Sequence, residues 1–438
     1  MSQNSDFNSY YHQTQNRPDN RQELDETLRT DVCVIGGGLA GINALLGLSE
    51  RKITAVLLEA KTLGFGASGK NGGFLSAGYS VPIRTLEKKY GRSFSQELYK
   101  LSIEGVEIVR KRAQNFEETG AKIAPGIVRM SWGQKAINLQ SEIEYMNETF
   151  GSELEYWTPN QVRNLYSSDR YNDAIFNPAG YQLHSLNYIH RCADKAEKLG
   201  ARIFENSLVI NLERCAKGIT IKTQKGRIYA SKVIICISAS KTCLNRKLFN
   251  AILPIGTYVL LTEPLNDQLK EAIRAPYAVS DSRRVENYYR PLASTQILWG
   301  GGIGIRQEPA MLKKRMLKDL LSVYPQLAGV QGELAWPGTM GYARHQMPQI
   351  GRLSPNIWYS QGFGGHGLNT ATIAGELIAQ AISDNDDRYR LFEPFRLQST
   401  ARPMGLIAAQ FMYWNWVLRD ILDTQLSKKN YYLKIRRT

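Results

Sequence analysis

The sequence DVCVIGGGLAG, residues 31–41, decides the fold. The β-branched run Thr30–Ile35 predicts a buried strand that leads directly into the glycines. Apolar residues at helical spacing over residues 42–48 predict a helix immediately afterwards, and the apolar run Thr54–Leu58 predicts a second strand. Together these segments form a β-α-β unit of about 30 residues, the size of a dinucleotide-binding unit.

The glycines in this unit have the spacing G-x-G-x-x-G that a pyrophosphate site requires. Gly36 permits a tight turn, Gly38 lets the backbone approach a phosphate, and Gly41 lets the helix pack close to the strand. Glu59 ends the second strand, where a carboxylate accepts hydrogen bonds from ribose hydroxyls. Because no Arg lies beside Glu59, the unit favours NAD or FAD over NADP. The alternative is a tight turn without a ligand.

A second glycine-rich segment favours FAD over NAD. Residues 64–78, GFGASGKNGGFLSAG, carry six glycines in 15 residues and cannot form a regular element. Small side chains and backbone N–H groups here suit a diphosphate, a ribityl chain and one edge of a flavin. The alternative is a flexible surface loop, against which the apolar pair Phe74-Leu75 argues.

A third glycine-rich segment, Gly362–Gly367, lies between a predicted strand, Trp358–Gln361, and a predicted helix. It also spells G-x-G-x-x-G, but no strand ending in Asp or Glu follows it. The start of the helix can instead stabilise the negative charge of a reduced flavin. The pattern predicts one FAD held from both ends of the chain and no NAD(P)H site; a plain glycine turn is the alternative.

The order of elements predicts an α/β fold in which a Rossmann-like FAD-binding domain is discontinuous and an antiparallel-sheet substrate domain is inserted into it. We assign residues 29–85, 170–245 and 346–400 to the FAD-binding domain and residues 86–169 and 246–345 to the substrate domain. Residues 1–28 are interpreted as a flexible or surface-draped polar leader, and residues 401–438 as a basic, aromatic C-terminal extension.

Composition excludes several classes of protein. The chain has 438 residues, 43% hydrophobic and 22% charged, and a net charge of +15, which excludes a disordered or fibrous protein. No apolar run is long enough for a transmembrane helix, and the N-terminus lacks a secretory signal, so a cytoplasmic protein is expected. The spread of positive charge argues against nucleic-acid binding, and the scattered Cys and His residues argue against a metal site.

Three stretches together resemble the D-amino-acid oxidase-like flavoenzymes, the glycine oxidase/sarcosine oxidase superfamily: residues 31–41, 57–78 and 357–379. Within this superfamily the γ-glutamylputrescine oxidoreductase group is the most similar. The shared features are a tyrosine pair in the leader, Tyr10-Tyr11, the GASGxNGG loop, the GxxGHG segment and the basic aromatic tail. The substrate is less well specified than the cofactor, because close relatives act on other amines.

The resemblance implies non-covalent FAD, because residues 341–352 lack the Cys through which sarcosine oxidase-like members tether flavin. Residues 295–302 lack the Lys with which those enzymes activate oxygen, so the acceptor is O2 or another electron acceptor. Val209 is implied to contact the adenine through its backbone. The motifs and the resemblance together predict FAD contacts at Gly36, Gly38, Leu39, Ala40, Gly41, Glu59, Ala60, Lys61, Gly66, Ala67, Ser68, Asn71, Gly72, Gly73, Phe74, Leu75, Val209, Gly362, Gly364, Gly365, His366, Gly367 and Leu368.

Amine oxidation by a flavin requires a positioned C–H bond and a desolvated neutral amine, which an aromatic cavity provides. His366 is the predicted proton acceptor because it lies in the flavin-facing glycine segment; His345 is a weaker candidate. Structural packing or surface roles are the alternative for every one of these side chains. The predicted catalytic and cavity-lining residues are His366, Tyr258, Tyr289, Arg290 and Tyr342, with Tyr288, Trp336, Met340 and Arg344 as further candidates.

The sequence therefore predicts an FAD-dependent oxidoreductase that oxidises the C–N bond of an amine or amino acid. γ-Glutamylputrescine-like amines, glycine or sarcosine, and D-amino acids are the candidate substrates, with imine or aldehyde, ammonia and, with O2, H2O2 as products. A hypothesis of another class is a non-catalytic flavoprotein whose C-terminal segment binds a membrane or a partner. That segment, LIAAQFMYWNWVLRDIL, has an apolar face that caps the protein's own core or lies on a bilayer.

Overall fold

Two mixed sheets and the helices around them make up the protein. The computed structural model describes residues 9–16, 21–116, 122–133, 138–215, 218–239, 243–292, 295–304 and 309–435. The strands in chain order are β1 Thr27–Ile35, β2 Ala55–Leu58, β3 Phe74–Leu75, β4 Ile123–Trp132, β5 Glu155–Trp157, β6 Tyr171–Leu183, β7 Arg202–Phe204, β8 Asn211–Cys215, β9 Gly218–Lys222, β10 Arg227–Ile235, β11 Leu253–Thr262, β12 Ala278–Asp281, β13 Tyr288–Leu292, β14 Gln296–Gly304, β15 Gly332–Tyr342, β16 Gln349–Ser354 and β17 Ile357–Gln361.

The helices surround these sheets, and the longest one lies at the C-terminal end. In chain order they are α1 Tyr10–Gln13, α2 Leu39–Glu50, α3 Ile83–Tyr90, α4 Arg92–Gln114, α5 Leu139–Phe150, α6 Pro159–Leu165, α7 Ser185–Lys198, α8 Arg246–Asn250, α9 Asp267–Ala272, α10 Pro309–Val323, α11 Gly367–Ser383 and α12 Met404–Ile435.

The first sheet has the order β16-β17-β10-β1-β2-β7. Strands β17, β10, β1, β2 and β7 are parallel, whereas β16 and the β8-β9 hairpin add antiparallel edges. Strand β1, near one end of the chain, and strand β17, near the other, therefore pair with opposite edges of β10 in one parallel sheet. This arrangement confirms the predicted Rossmann-like sheet and its discontinuous origin in the sequence.

The second sheet has the order β15-β11-β14-β13-β12-β4-β6-β3, with β5 paired to β6. Every pairing in it is antiparallel except that of β12 with β4. The antiparallel sheet predicted for the inserted domain is thus confirmed. Helices α9 and α10 cover one face of this sheet and bury its own apolar core.

Helices α2 and α11 pack against each other over the first sheet, with α4 and α7 beside them. Ile42 and Leu45 of α2 are fully buried in this layer, as are Ile373 and Ile378 of α11. Each such side chain contributes roughly 1.5–3 kcal/mol by leaving water. The two helices that follow glycine-rich turns are therefore fixed against each other, and their N-termini are held in place.

Two strands lie where the sequence predicts other structure. Amphipathic stretches in residues 83–150 predict mostly helix, which strand β4 interrupts, and β6 pairs in the second sheet although residues 170–245 were assigned to the FAD-binding domain. Both strands contain residues typical of turns: Pro125-Gly126 in β4 and Pro178 with Gly180 in β6. The register of β4 against β6 shifts at Pro125, so a bulge accommodates residues that would otherwise break the strand.

The leader is not simply draped over the surface. Within its described part, Tyr11 and Leu24 are fully buried, and Ser9 caps the short helix α1 by accepting a hydrogen bond from the His12 N–H. Tyr11 lies edge-on to His184 at a centroid distance of 4.9 Å. Tyr11 and Leu24 are two isolated apolar residues in a polar segment. Because they form no periodic pattern, the sequence does not predict that they are buried.

Helix α12 runs along the substrate-domain side of the molecule and is held there by polar contacts. Arg284 donates to Asp420 at 3.0 Å and to Asp423 at 2.9 Å, and the Trp132 indole donates to Thr424 at 3.0 Å. Among the described residues, no helix combines the length and apolar character that crossing a bilayer requires.

Candidate active site

The first glycine segment forms the tight turn between β1 and α2. Gly36 has φ +109°, a backbone conformation that favours glycine. A Cβ atom at Gly41 would lie 1.9 Å from the Gly36 carbonyl oxygen, so only glycine permits α2 to approach β1 this closely. At Gly38 a Cβ atom would meet only the Ser68 side chain, at 2.9 Å. Gly38 thus leaves its backbone open toward the space in front of the helix.

Glu59 is fixed beside this turn by backbone donors. Its carboxylate accepts the Gly37 N–H at 2.7 Å and the Lys61 N–H at 2.9 Å. Burial raises the pKa of Glu59, an effect that these backbone N–H groups oppose. The carboxylate lies next to the start of α2, where the first backbone N–H groups of a helix lack intrahelical partners.

The second glycine segment closes over the same turn. The Gly64 N–H donates to the Gly37 carbonyl at 2.9 Å, and the Ser68 hydroxyl accepts the Leu39 N–H at 3.0 Å. Residues Ala67–Gly69 form one turn of 3-10 helix, so the segment is less irregular than the sequence predicts. The Asn71 side chain bonds to the Ser68 carbonyl and the Gly73 N–H, each at 2.8 Å. The segment is an ordered loop rather than a flexible one.

Arg290 supports this loop from behind. Its Nε donates to the Gly72 carbonyl at 2.9 Å, and its Nη2 donates to the Tyr11 hydroxyl at 3.2 Å and the Leu183 carbonyl at 3.3 Å. The guanidinium is buried and does not line the cavity described below. The structure therefore gives Arg290 a positioning contact in place of the predicted contact with substrate.

The third glycine segment leads from β17 into α11. The Gly364 N–H donates to the Gly341 carbonyl at 3.1 Å, and the Gly365 N–H donates to the Ser80 hydroxyl at 3.3 Å. His366 occupies the residue before α11. Burial lowers the pKa of His366, so its imidazole is neutral at pH 7.

All three glycine segments line one cavity of about 2460 Å³. This volume is more than twice the roughly 300–1,000 Å³ of an ordinary small-molecule site, so it has room for a dinucleotide and a substrate. Most of the predicted FAD contacts line it; Gly41, Leu75 and Gly362 do not, because Gly41 and Gly362 shape the backbone and Leu75 is buried in the core. Gly38 near one end of the chain and Gly364 near the other thus face the same space.

The predicted catalytic residues divide into two groups. His366 and Tyr342 line the cavity, together with Tyr288, Met340 and Arg344. Tyr289 instead stacks on Trp299 at a centroid distance of 4.7 Å, and Tyr258 belongs to the same apolar core. Because neighbouring residues of a strand point to opposite faces, Tyr288 faces the cavity and Tyr289 cannot.

Two other candidates also have structural contacts. The Trp336 indole donates to the Lys70 carbonyl at 3.1 Å, and His345 is hydrogen-bonded to the Arg396 carbonyl at 3.2 Å. Neither side chain is part of the cavity lining. Of the five residues predicted as catalytic, His366 and Tyr342 line the cavity, and their catalytic role stays a prediction.

The sequence analysis missed two parts of the cavity wall. Glu286, in the turn between β12 and β13, lines the cavity, and its side chain is exposed there. Helix α12 contributes Met412, Tyr413 and Trp416, and the Tyr413 hydroxyl accepts a hydrogen bond from Arg315 at 2.9 Å. No local motif marks Glu286, whereas the aromatic residues of the C-terminal segment did indicate that it covers part of the protein.

The residues present fit FAD. Backbone at Gly38 and Gly66 is open to the cavity, with nothing within 4 Å of a Cβ atom built at Gly66, and the Glu59 carboxylate, an acceptor for ribose hydroxyls, lines the same cavity. Cys236 also lines the cavity, and burial raises the pKa of its thiol to about 12, so it stays protonated and unreactive. Across the described residues, no group of three metal-ligating side chains occurs.

Comparisons with known proteins agree with this geometry. A family model described as FAD dependent oxidoreductase (DAO) matches residues 31–381. Gamma-glutamylputrescine oxidoreductase of Escherichia coli is 34% identical over 389 residues, which cover 88% of this chain and 91% of that protein. A probable oxidoreductase, OrdL, of Haemophilus influenzae is 28% identical over 398 residues, covering 89% and 91%.

Solved structures share the fold at lower identity. Glycine oxidase from Geobacillus kaustophilus superposes with a TM-score of 0.70 at 17% identity, covering 85% of this chain and 99% of that one. L-proline dehydrogenase from P. horikoshii superposes with a TM-score of 0.68 at 20% identity, covering 85% and 100%. Both sheets of this chain therefore belong to one known architecture.

Proposed function

The chain belongs to the DAO family of FAD-dependent oxidoreductases, enzymes that act on amines or amino acids, and we propose that its own substrate is a γ-glutamylputrescine-like amine. The observation that carries this proposal is the single cavity: three glycine-rich segments face it, together with two tyrosines and a neutral imidazole. The similarity to the Escherichia coli enzyme over most of the chain supports the choice of amine.

Bound FAD supplies a two-electron acceptor for the hydride of the amine's α-carbon. The residues of the chain bind and orient the reactants. Neutral His366 accepts a proton from the incoming ammonium group, because a neutral amine releases hydride more readily than a cation. Tyr288 and Tyr342 form an aromatic wall that restricts the orientation of the alkyl chain.

The products follow from the bond that is oxidised. Loss of hydride and a proton gives an imine, and its hydrolysis gives an aldehyde and ammonia. When O2 accepts the two electrons, H2O2 is formed; another acceptor replaces O2 in a dehydrogenase. Hydrogen peroxide measured against amine consumed under air distinguishes these two cases.

Anaerobic mixing with a panel of amines tests the proposal. γ-Glutamylputrescine, putrescine, spermidine, sarcosine, glycine and D-amino acids are each added to the FAD-loaded protein under argon, and the flavin absorbance is followed. We expect γ-glutamylputrescine to bleach the flavin fastest. Faster bleaching by glycine, sarcosine or a D-amino acid would favour the other substrate classes, and no bleaching by any amine would favour a non-catalytic flavoprotein.

A second property, contact with a lipid surface, is favoured by the outward face of α12. Phe411, Trp414 and Leu418 lie along this face, and each is more than half exposed: 62%, 56% and 55%. Residues 402–438 carry seven basic and two acidic residues, and both acids, Asp420 and Asp423, are paired with Arg284. An exposed apolar stripe on a segment with more basic than acidic residues is typical of a helix that lies on an anionic bilayer.

A further inference from the structure

Glu286 is a carboxylate in the cavity that has neither a hydrogen bond nor an ion pair to another residue within the described part of the chain. It lies in the turn between β12 and β13, lines the cavity and has an exposed side chain there. A carboxylate that faces a ligand cavity and has no partner in the described part of the chain is free to pair with a cationic group of the ligand.

The charged groups around Glu286 are already paired with other residues. Arg129 on β4 pairs with Glu142 on α5 at 2.6 Å, and Arg283 pairs with Asp281 at 2.5 Å. Burial, together with the Asp281 carboxylate, raises the pKa of Glu286 to about 7, while Arg129 and Arg283 lower it. The local balance of charge therefore favours an incoming cation over a second anion.

Glu286 lies near Tyr288 and Tyr342, the two tyrosines of the cavity wall. The phenols of Tyr288 on β13 and Tyr342 on β15 are close enough for the Glu286 charge to raise their pKa values further, beyond the effect of burial. Tyr288 also lies edge-on to Phe74 beside the second glycine segment, at a centroid distance of 5.5 Å. Tyr342 contacts the backbone at Gly364 and Gly365 of the third segment.

The second sheet provides a path along the cavity wall that leads away from the two tyrosines. Arg129, Ser280 and Tyr288 are in register across β4, β12 and β13, and all three line the cavity. Since neighbouring strands are about 4.8 Å apart, Tyr288 and Arg129 are separated by roughly 10 Å of wall. The Arg129 end of this row is close enough to Glu286 for their charges to interact, so a chain that starts at the two tyrosines and follows the row remains near the Glu286 carboxylate.

We propose that Glu286 binds a second, non-reacting ammonium group of the substrate, so that the enzyme selects amines with two cationic groups over monoamines. This inference rests on the proposed function, because it assigns a substrate class to the same cavity. Butane-1,4-diamine and γ-glutamylputrescine both belong to this class, the second through its α-amino group. Simple monoamines lack the group that Glu286 recognises.

The pairing has a defined pH dependence. Glu286 is mostly ionised above pH 7, so the second ammonium is bound most tightly there. As the pH falls below 7 the carboxyl group takes up a proton, and the preference for two cationic groups declines. Asp281, Arg129, Arg283, Tyr288 and Tyr342 face it; burial raises the pKa of both tyrosines, so their phenols stay neutral over this range.

Substitution of Glu286 by Gln tests the assignment. Flavin reduction under argon is measured with butane-1,4-diamine and γ-glutamylputrescine, and with the monoammonium analogues butan-1-amine and N-acetylputrescine. We expect E286Q to raise the Kd of the first pair, obtained from the dependence of the reduction rate on amine concentration, at least tenfold and to leave that of the second pair within twofold. Equal effects on both pairs, or no effect on the first pair, would overturn the proposal. E97Q, on the exposed face of α4, is the matched control.

Binding of a dication that cannot form an imine provides a readout independent of turnover. Hexane-1,6-bis(trimethylammonium) is titrated into the FAD-loaded protein, and the change in flavin absorbance gives its Kd. We expect Kd to rise at least tenfold in E286Q and to stay constant in E97Q; failure of the wild type to bind the dication, or equal affinity in both variants, would overturn the role of Glu286. Failure of every amine to reduce the wild-type flavin would instead contradict the proposed function.

Discussion

Gly38 and Gly41 serve different purposes at one turn, and alanine at each position separates them. A Cβ atom at Gly41 would collide with the backbone oxygen of Gly36 at 1.9 Å, so α2 must move away from β1. Such overpacking costs about 1–3 kcal/mol. We expect G41A to lower the melting temperature of the apoprotein, measured by calorimetry.

Alanine at Gly38 meets only a side-chain oxygen, at 2.9 Å, and Ser68 can rotate away from it. The melting temperature of the G38A apoprotein should therefore stay close to that of the wild type, while its affinity for FAD falls about tenfold or more because a methyl group occupies the phosphate approach. A G38A apoprotein that melts at a lower temperature than the G41A apoprotein would contradict these separate roles of the two glycines.

His184 gives the folded state a pH dependence with a known sign. Burial, with a contribution from the nearby Arg290 charge, lowers the pKa of His184 to about 3, whereas the unfolded chain titrates near pH 6.5. Between these values the unfolded state binds a proton that the folded state does not. The free energy of unfolding therefore falls as the pH drops below 6.5, by roughly 1.4 kcal/mol per pH unit, and this contribution is constant above 6.5.

The variant His184→Asn removes this titration and keeps the contact. His184 precedes α7 and accepts the Asn187 N–H at 3.0 Å, a role that Asn fills well at a helix start. Urea unfolding at pH 7, 6 and 5 should show a steeper loss of stability in the wild type than in H184N. Parallel pH profiles for the two proteins would show that His184 titrates in the folded state.

At the scale of elements, strand β13 holds the second glycine segment in place through Arg290. Arg290 on β13 donates to the carbonyls of Gly72 and Leu183 and to the Tyr11 hydroxyl. Replacement by Met leaves these buried acceptors without a donor, at a cost of about 1–3 kcal/mol for each carbonyl. We expect R290M to weaken FAD binding by about 10–100-fold, measured by flavin release on dilution.

Arg163 on α6 is a suitable comparison, since it is exposed and bonds only to Asn160, three residues away. R163M should retain FAD like the wild type. Equal FAD affinity in R290M and the wild type would mean that the loop keeps its shape without the guanidinium. This result would also show that the hydrogen bond from Arg290 to Tyr11 does not link the leader to the cofactor site.

The elements that sequence reasoning predicts well are those whose pattern is local. β1, α2, β2 and α11 follow from apolar periodicity and flanking glycines, and the structure has them within a few residues of the predicted bounds. β4 and β6 were missed because their Pro and Gly residues indicate turns, and only pairing with neighbouring strands stabilises them. Pairing between distant segments is not visible in a single sequence.

At the scale of the whole molecule, the same distinction separates the cofactor site from the substrate site. The FAD contacts are predictable because phosphate binding requires glycine at fixed spacing. The substrate side is built from side chains such as Glu286 and Tyr288, which share a cavity only after β12, β13 and β15 are assembled. Tyr258 and Tyr289 were proposed from aromatic character alone, and the core of the second sheet requires the same character.

The two faces of α12 lead to the prediction that concerns the molecule as a whole. Its inward face carries Tyr413 and Trp416 against the cavity and Asp420 against Arg284, which fixes the orientation of the helix. Its outward face therefore presents Phe411, Trp414 and Leu418 together, at the spacing of a single helical stripe. An exposed stripe of this kind, on a segment with more basic than acidic residues, should bind the surface of an anionic bilayer.

Co-sedimentation with phosphatidylserine vesicles measures this binding. We expect the wild type to sediment with these vesicles, to be released by salt, and to remain in solution with neutral phosphatidylcholine vesicles, because the attraction is partly electrostatic. The double variant F411S/W414S should lose most of the binding, since it removes the aromatic pair and leaves the cavity wall intact. L199S/M311S, which removes exposed apolar side chains elsewhere, should bind like the wild type. Wild-type protein that stays in solution with anionic vesicles but forms dimers would instead assign the stripe to a second copy of the chain.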